Sequence, residues 1–426
     1  MRHTLQIGAM SAANILSNIL FQWLVLTILG PGMESDALFA GMTVPQLFAA
    51  VVSSSLTHVL VPILAGESDA DQRRDAWTLL VVSGAVFSVV MVTLVLTAKW
   101  WVPVTVPGFS PQAQALTTKL ATISLLGMAF TGLNSVQLAM AFARERYTWA
   151  DAAPATANIL AVALLFWALP RYGVISAAWI SVVRLALQTL FLQRVMGRLV
   201  RIDLRSTALR DSWRRIAPML AGASYYKMDP LVDRILLSSA QSGSLSLIYL
   251  AQQLYSAASQ VIAKALAVPV ITRLSSAHKR GDLDTSRSEL RAASFRILIV
   301  CSVGIAGLLL VGNPLLAFGM GYGEFDASDA KILWILLVLM AGQFLGGSMG
   351  SLTAGAFYAR GDTRTPTVLG SIAFTLGIAL KIAMFKLFGM YGLAVAISAY
   401  YLFSLLLQTY VLWKRGFCHS MSRDGV

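Results

Sequence analysis

Charge is scarce in this chain. Only 12% of its 426 residues are Asp, Glu, Lys or Arg, against about 25% in soluble domains, which excludes an ordinary soluble globular protein. Cysteine is scarcer still. Cys301 lies in an apolar stretch and Cys418 near the C-terminus, with no CxxC and no Cys/His neighbour, so neither a disulfide framework nor a metal site is expected. Enzymatic motifs are also missing: there is no HExxH, no GxSxG and no GxxxxGK[ST]. No soluble segment is large enough to house a catalytic centre. The chain is therefore expected to be no enzyme and to carry no cofactor.

What is abundant is apolar sequence. Hydrophobic residues make up 57% of the chain and mean hydropathy is +0.70. Twelve apolar runs long enough to cross a bilayer (about 20 residues) fall near 5–29, 36–65, 76–98, 114–143, 149–169, 173–196, 216–238, 244–272, 293–317, 331–358, 366–387 and 391–413. The first is too long for a signal peptide's apolar region and reads as a span. The sequence thus predicts an all-α polytopic membrane protein.

The net charge is +13. In a soluble protein this would suggest nucleic acid, but here the basic residues sit in short loops, and no nucleic-acid partner is expected. Alternate loops differ sharply. One set holds Arg73-Arg74, Arg144, Arg146, the stretch Arg194 to Arg215, Arg273, Lys279, Arg280, Arg360, Arg364 and Lys414-Arg415. The other holds Lys99, Arg171, Lys331, Lys386 and the acidic run Glu324-Phe325-Asp326-Ala327-Ser328-Asp329. The positive-inside rule puts the basic loops and both termini in the cytoplasm.

The sequence also repeats. Ala141-Phe142-Ala143-Arg144 precedes Pro154, an apolar run and Tyr172-Gly173. Ala356-Phe357-Tyr358-Ala359-Arg360 precedes Pro366, an apolar run and Tyr391-Gly392. Val61-Pro62 and Val268-Pro269 stand upstream of each copy. Six helices per half make the repeats parallel, and two related halves in a membrane favour a transporter. The expected division is an N-terminal lobe 1–197, a basic cytoplasmic linker 198–215 that suits anionic lipid, and a C-terminal lobe 216–426, around a central cavity.

Polar residues inside spans are costly and therefore mark function by default. Asn14, Asn18 and Gln22 share one face of the first span. Asp36, His58, Asn134, Gln137, Asn158 and Arg184 follow in the first half, and Lys227, Asp229, Asp233, Arg234, Gln252, Gln253, Lys264 and Lys381 in the second. Two readings stand for each group. The amides either glue helices together or bind substrate. The Lys227–Arg234 cluster is either an internal ion-pair network or a contact for a charged substrate or coupling ion; a diphosphate would offset the desolvation of its cations. His58 is either a satisfied bundle histidine or a proton-sensing group. Lys381 and Lys386 are expected to snorkel outward.

Several stretches resemble the MurJ/MviN family. They are Gly30-Pro31-Gly32-Met33-Glu34-Ser35-Asp36-Ala37-Leu38-Phe39 with Pro45 and Val61-Pro62-Ile63-Leu64; Asp233-Arg234 with Gly243-Ser244-Leu245-Ser246, Tyr249 and Leu274-Ser275; and Phe357-Tyr358-Ala359-Arg360-Gly361-Asp362-Thr363-Arg364-Thr365-Pro366. The resemblance spans almost the whole chain. It implies the multidrug/oligosaccharidyl-lipid/polysaccharide exporter fold and the flipping of an undecaprenyl-diphosphate-linked glycan across the bacterial inner membrane. Ile15, Phe21, Ala49-Ala50 and Gln252-Gln253 stand where the resemblance implies cavity cations, so the glycan is either lipid II-like or an exopolysaccharide unit. Candidate headgroup contacts are Lys227, Arg234, Gln252, Gln253, Lys264, Asn18, Gln22 and Arg184. Candidates for coupling to a cation or proton are Asp36, Asp233 and His58. The expected partners are the polyprenyl-diphosphate-linked sugar, membrane lipid and that coupling ion. A multidrug or cation antiporter on the same fold and a non-transporting scaffold of envelope synthesis are the competing readings.

Overall fold

A computed structural model describes residues 2–65 and 68–414, without the side chains of residues 2–7, 52–55, 57–58, 207, 215, 217–224 and 283. His58 and Cys418 fall outside the described side chains. Among the described residues the chain is all helix, with no strand.

The chain divides into two compact units, Met1–Ser246 with Gly323–Phe325, and Leu247–Tyr322 with Asp326–Val426. In the first lie α1 (Arg2–Leu29), α2 (Met33–Phe48), a π-helical turn Ala49–Ser53, α3 (Ser54–Leu64), α4 (Asp69–Leu96) and α5 (Ala98–Thr105). They are followed by α6 (Pro111–Leu125), α7 (Gly127–Ala143), α8 (Tyr147–Tyr172), α9 (Val174–Met196), α10 (Thr207–Lys227) and α11 (Asp229–Leu237). Helix α12 (Ser244–Ile262) starts in this unit and runs into the second. There a π turn Ala263–Ala267 leads to α13 (Val268–Lys279), α14 (Leu283–Met320), α15 (Ala327–Leu339), α16 (Ala341–Ala359) and α17 (Arg364–Leu412). The boundary between the two units falls at Ser246, because α10 and α11 pack on α2, α3, α4 and α5. Half of the expected linker is itself helical, since α10 opens at Thr207.

Among the described residues, eight helical stretches are long and apolar enough to cross a membrane, and the bent pair α15–α16 makes a ninth. Helix α17 has 49 residues, about 74 Å at roughly 1.5 Å per residue, more than twice the hydrocarbon thickness of about 30 Å. It breaks at Gly389 (φ 58, ψ −139), a left-handed conformation that favours glycine, and so supplies two crossings. With α2–α3 and α10–α11, both interrupted, every expected apolar run finds a helical counterpart. Pro45 precedes the first π turn by one helical turn and Pro269 follows the second. Proline removes a ladder donor, and membrane bundles accommodate such breaks by local π adjustment.

Helix starts follow local chemistry. The Ser68 and Ser110 hydroxyls accept from the N–H groups of Asp71 and Ala113, each at 3.2 Å, and the Asp326 carboxylate accepts from Ser328 N at 2.7 Å and Asp329 N at 2.9 Å. These bonds hold the Asp326 carboxyl below the usual carboxylate range. Gly41 lets α2 lie against α6, where a Cβ would stand 2.9 Å from Ala121 N. Both arginines of the repeat end a helix: Arg144 follows α7 and Arg360 follows α16.

Candidate functional site

In unit 1, four polar side chains inside the spans form one cluster. Asn14 and Asn18 come from α1, Asn158 from α8 and Arg184 from α9. The Arg184 guanidinium donates to Asn18 Oδ1 at 3.0 Å and Asn158 Oδ1 at 2.9 Å. Asn158 donates to Asn14 Oδ1, and Asn18 donates to the Asn14 carbonyl at 2.9 Å. The i, i+4 spacing of Asn14 and Asn18 places both amides on the face that meets α8. Neutral amide oxygens thus hold a cation inside the bundle. This arrangement suits anion recognition, because guanidinium presents five donors in a planar fork. Gln22, one further turn along α1, is buried, and its Oε1 has no hydrogen-bond partner among the described residues.

A second constellation lies where α2 begins. Asp36 is buried, and its carboxylate accepts from Gly243 N at 2.7 Å and Ser246 N at 2.8 Å. These are donors at the opening of α12, so the Asp36 carboxyl caps the positive end of a helix remote in sequence. Ser35 Oγ donates to the Gly30 carbonyl at 2.9 Å and contacts Ser246 Oγ at 3.3 Å. Gly243 (φ 91) leaves no room for a side chain, since a Cβ there would stand 2.9 Å from the Pro31 carbonyl oxygen. Nearby bonds gather on the same unit: Gly108 N donates to Ser238 Oγ at 3.0 Å, and Glu324 N to the Thr27 carbonyl at 2.8 Å. Arg234 is buried on α11, and its Nε donates to Thr43 Oγ1 at 3.2 Å.

Lys227 closes α10, and its Nζ donates to the Ala50 carbonyl at 2.7 Å, within the first π turn. Asp233 is fully buried. Gln252, Gln253 and Lys264 belong to unit 2; the two glutamines are half-buried, and Lys264 is exposed within the second π turn. Lys381 does not snorkel as expected. It is fully buried, with its ammonium 5.4 Å from the centre of the Tyr400 ring, because the two parts of α17 fold back so that Tyr400 offers its π face. The cap formed by Asp36 was not legible in sequence, since its partners lie more than 200 residues away; the G-P-G-x-x-S-D run was its local signal.

Arg144 has a different role. It donates to Gln72 Oε1 at 2.8 Å, the Val195 carbonyl at 3.1 Å and Asp69 Oδ1 at 2.6 Å. It ties the ends of α4, α7 and α9 together. Burial lowers its pKa, and the Asp69 carboxylate opposes that shift.

Helical spans with cations and amides inside them, built on a repeated sequence, define a multi-pass membrane transporter. A family model described as lipid II flippase MurJ matches residues 25–423, and the chain belongs to this family. A probable lipid II flippase MurJ of Rhizobium meliloti is 22% identical over 433 residues, covering 96% of this chain and 80% of the relative. The lipid II flippase MurJ of Burkholderia cenocepacia is 22% identical over 437 residues, covering 97% and 84%. Two solved structures share the fold. One is lipid II flippase MurJ in an inward closed conformation (TM-score 0.83, 17% identity, 96% of this chain and 89% of that one). The other is an inward-facing multidrug resistance MATE transporter of the MOP superfamily (TM-score 0.78, 16% identity, 94% of each).

Proposed function

We propose that this chain flips an undecaprenyl-diphosphate-linked glycan across the bacterial inner membrane by alternating access, without enzymatic chemistry. Family membership supports the substrate class. The observation that carries the reading is Arg184 held inside the spans by amide oxygens, a setting suited to an anionic headgroup and not to a cationic drug. Asn18 and Gln22 extend the polar surface of the N-terminal half. Lys227, Arg234, Gln252, Gln253 and Lys264 supply that of the C-terminal half. Both termini and the basic loops face the cytoplasm.

In this reading 1–197 and 216–426 work as two lobes about the linker 198–215. The Asp36 contacts with Gly243 and Ser246 are the latch that keeps α11 and the start of α12 on the first lobe. Neutralising Asp36 by a proton, or competing for it with a cation, weakens charge-assisted bonds and releases α12 to travel with the second lobe. Asp233 and His58 complete the coupling set.

The test is translocation of a fluorescent undecaprenyl-diphosphate disaccharide in vesicles containing the purified chain. Transport that collapses in Arg184→Ala, with the protein still folded, is the expected result. No movement of any polyprenyl-diphosphate sugar by the folded wild type overturns the reading.

A further inference from the structure

Unit 1 contains a cavity that the transport reading does not use. It has a volume of about 240 Å³ and lies between α3, α4, α7 and the first turns of α10. Its wall includes Leu60, Leu79, Phe87, Met128 and Val136, and Leu209, Trp213 and Ile216 of α10 lie over it. The two hydroxyls on the wall are turned to backbone: Ser83 Oγ donates to the Gly132 carbonyl at 3.1 Å and Ser212 Oγ to the Ala208 carbonyl at 2.6 Å. Both wall hydroxyls are thus already engaged with backbone carbonyls. An apolar cavity of about 150 Å³ stays dry and takes up benzene; this one is larger.

The cavity has an edge towards the surface. Val86 on α4 is 45% exposed and Trp213 on α10 is 64% exposed, and both belong to its wall. At about 100° per residue, Leu209, Ser212, Trp213 and Ile216 share the inner arc of α10. Arg210 falls on the flank, about 60° round from Trp213; Arg214 lies one turn along the same stripe as Arg210, about 40° further out, and Asp211 falls beyond it. Both arginines are exposed, as are Arg198, Arg201 and Arg205 just before the helix, and none of the five forms an ion pair with another described residue. Asp203 and Asp211 leave this stretch strongly positive.

We propose that this cavity holds one acyl chain of an anionic phospholipid, whose phosphate is taken by Arg210 and Arg214. The apolar wall supplies the tail site and the flank supplies the charge, in the geometry of an interfacial amphipathic helix. The lipid thereby becomes part of the seat of α10, the helix that leads from the basic linker into the Lys227 contact. The inference stands apart from the choice of transported substrate.

Trp213 is a built-in reporter. The full chain is placed in phosphatidylcholine nanodiscs, and phosphatidylglycerol with brominated acyl chains is titrated in. The signal of Trp213 is isolated by difference from Trp213→Phe. Two arginines at about 1 kcal/mol each amount to about thirtyfold. Saturable quenching is therefore expected at a mole fraction about thirtyfold lower than with brominated phosphatidylcholine. The Arg210→Ala/Arg214→Ala variant, altered only at exposed positions, is expected to lose that preference. Ser83→Phe, which fills the cavity, is expected to abolish saturation in wild-type charge background, with unfolding temperature read alongside; Leu209→Trp fills it from the α10 side should Ser83→Phe fail to fold. Equal quenching by the two phospholipids, an unchanged double-arginine variant, or displacement of phosphatidylglycerol by trace polyprenyl phosphate overturns the proposal.

Discussion

The two units share a repeated frame and differ in what fills it. Unit 1 holds amides and formal charges: Arg184 among Asn14, Asn18 and Asn158, Asp36 on the α12 opening, Arg234 on Thr43. Unit 2 is stitched mainly by hydroxyls and rings. Ser348 donates to Ser259 at 3.1 Å, Thr353 to Gln408 at 2.9 Å, Ser398 to the Leu339 carbonyl at 2.6 Å, and Tyr255 to the Leu337 carbonyl at 2.5 Å. Lys381 there is covered by an aromatic face. Hydroxyl contacts between membrane helices are individually modest, about 0.6 kcal/mol on average, whereas ionic clusters are costly to disturb. Among the described residues, the ionic contacts inside the spans gather in unit 1 and the hydroxyl and ring contacts in unit 2.

Breaking that comparison starts with Arg184. Arg184→Ala leaves the Asn18 and Asn158 amide oxygens without their shared donor and removes the cation, so transport in vesicles is expected to fall at least about a hundredfold, with about 3 kcal/mol lost from stability. Normal transport would remove unit 1 from substrate contact. Asp36→Asn keeps the shape and removes the charge. Loss of one charge-assisted bond is worth about 1.5 kcal/mol, so a cysteine placed at the buried Ser244, at the opening of α12, is expected to label about tenfold faster with a membrane-impermeant thiol reagent. Unchanged labelling would make Asp36 a static cap.

Smaller effects sharpen the contrast. Arg144→Ala cuts three contacts at helix ends, one to the largely exposed Asp69. It is expected to cost about 2 kcal/mol in unfolding experiments while transport per folded molecule stays normal. Lys381→Met exchanges a buried cation for an apolar side chain of similar length. It is expected to be neutral or stabilising by about 1 kcal/mol, with transport intact; lost transport would move function into unit 2. The smallest effect concerns Asp326. Its depressed pKa means that its cap contributes above the unfolded-state value and is lost as pH falls through the folded one. The protection factors of amides in the first turn of α15, corrected for the intrinsic exchange rate at each pH, should therefore fall at acid pH in wild type and lose that pH dependence in Asp326→Asn.

Much of the fold was legible in the chain. Bilayer-length apolar runs leave few options for a backbone that must satisfy its own hydrogen bonds, and the break near residue 389 shows as glycine between two such runs. The division of the units was not legible. The basic stretch 198–215 marks a composition change, yet α10 and α11 take their place from packing on α2 to α5. The candidate residues were readable as residue types, because polar side chains are rare inside spans. Their partnerships were not. Lys381 and Lys227 read alike as lysines, but one faces a tyrosine ring and the other a π-turn carbonyl.

By itself the sequence determined a helical membrane chain, its spans, its repeated frame and the few polar residues placed within them. These follow from hydropathy, periodicity and loop charge, which are local properties of the chain. Only the tertiary structure decided that Asp36 would cap α12, that Asn18 and Asn158, each bonded to Asn14, would hold Arg184, and that α10 would roof an apolar cavity. Each of these depends on which helix faces which across more than a hundred residues. Close packing and the need to pair buried polar groups select that arrangement, and neither condition can be evaluated along the chain alone.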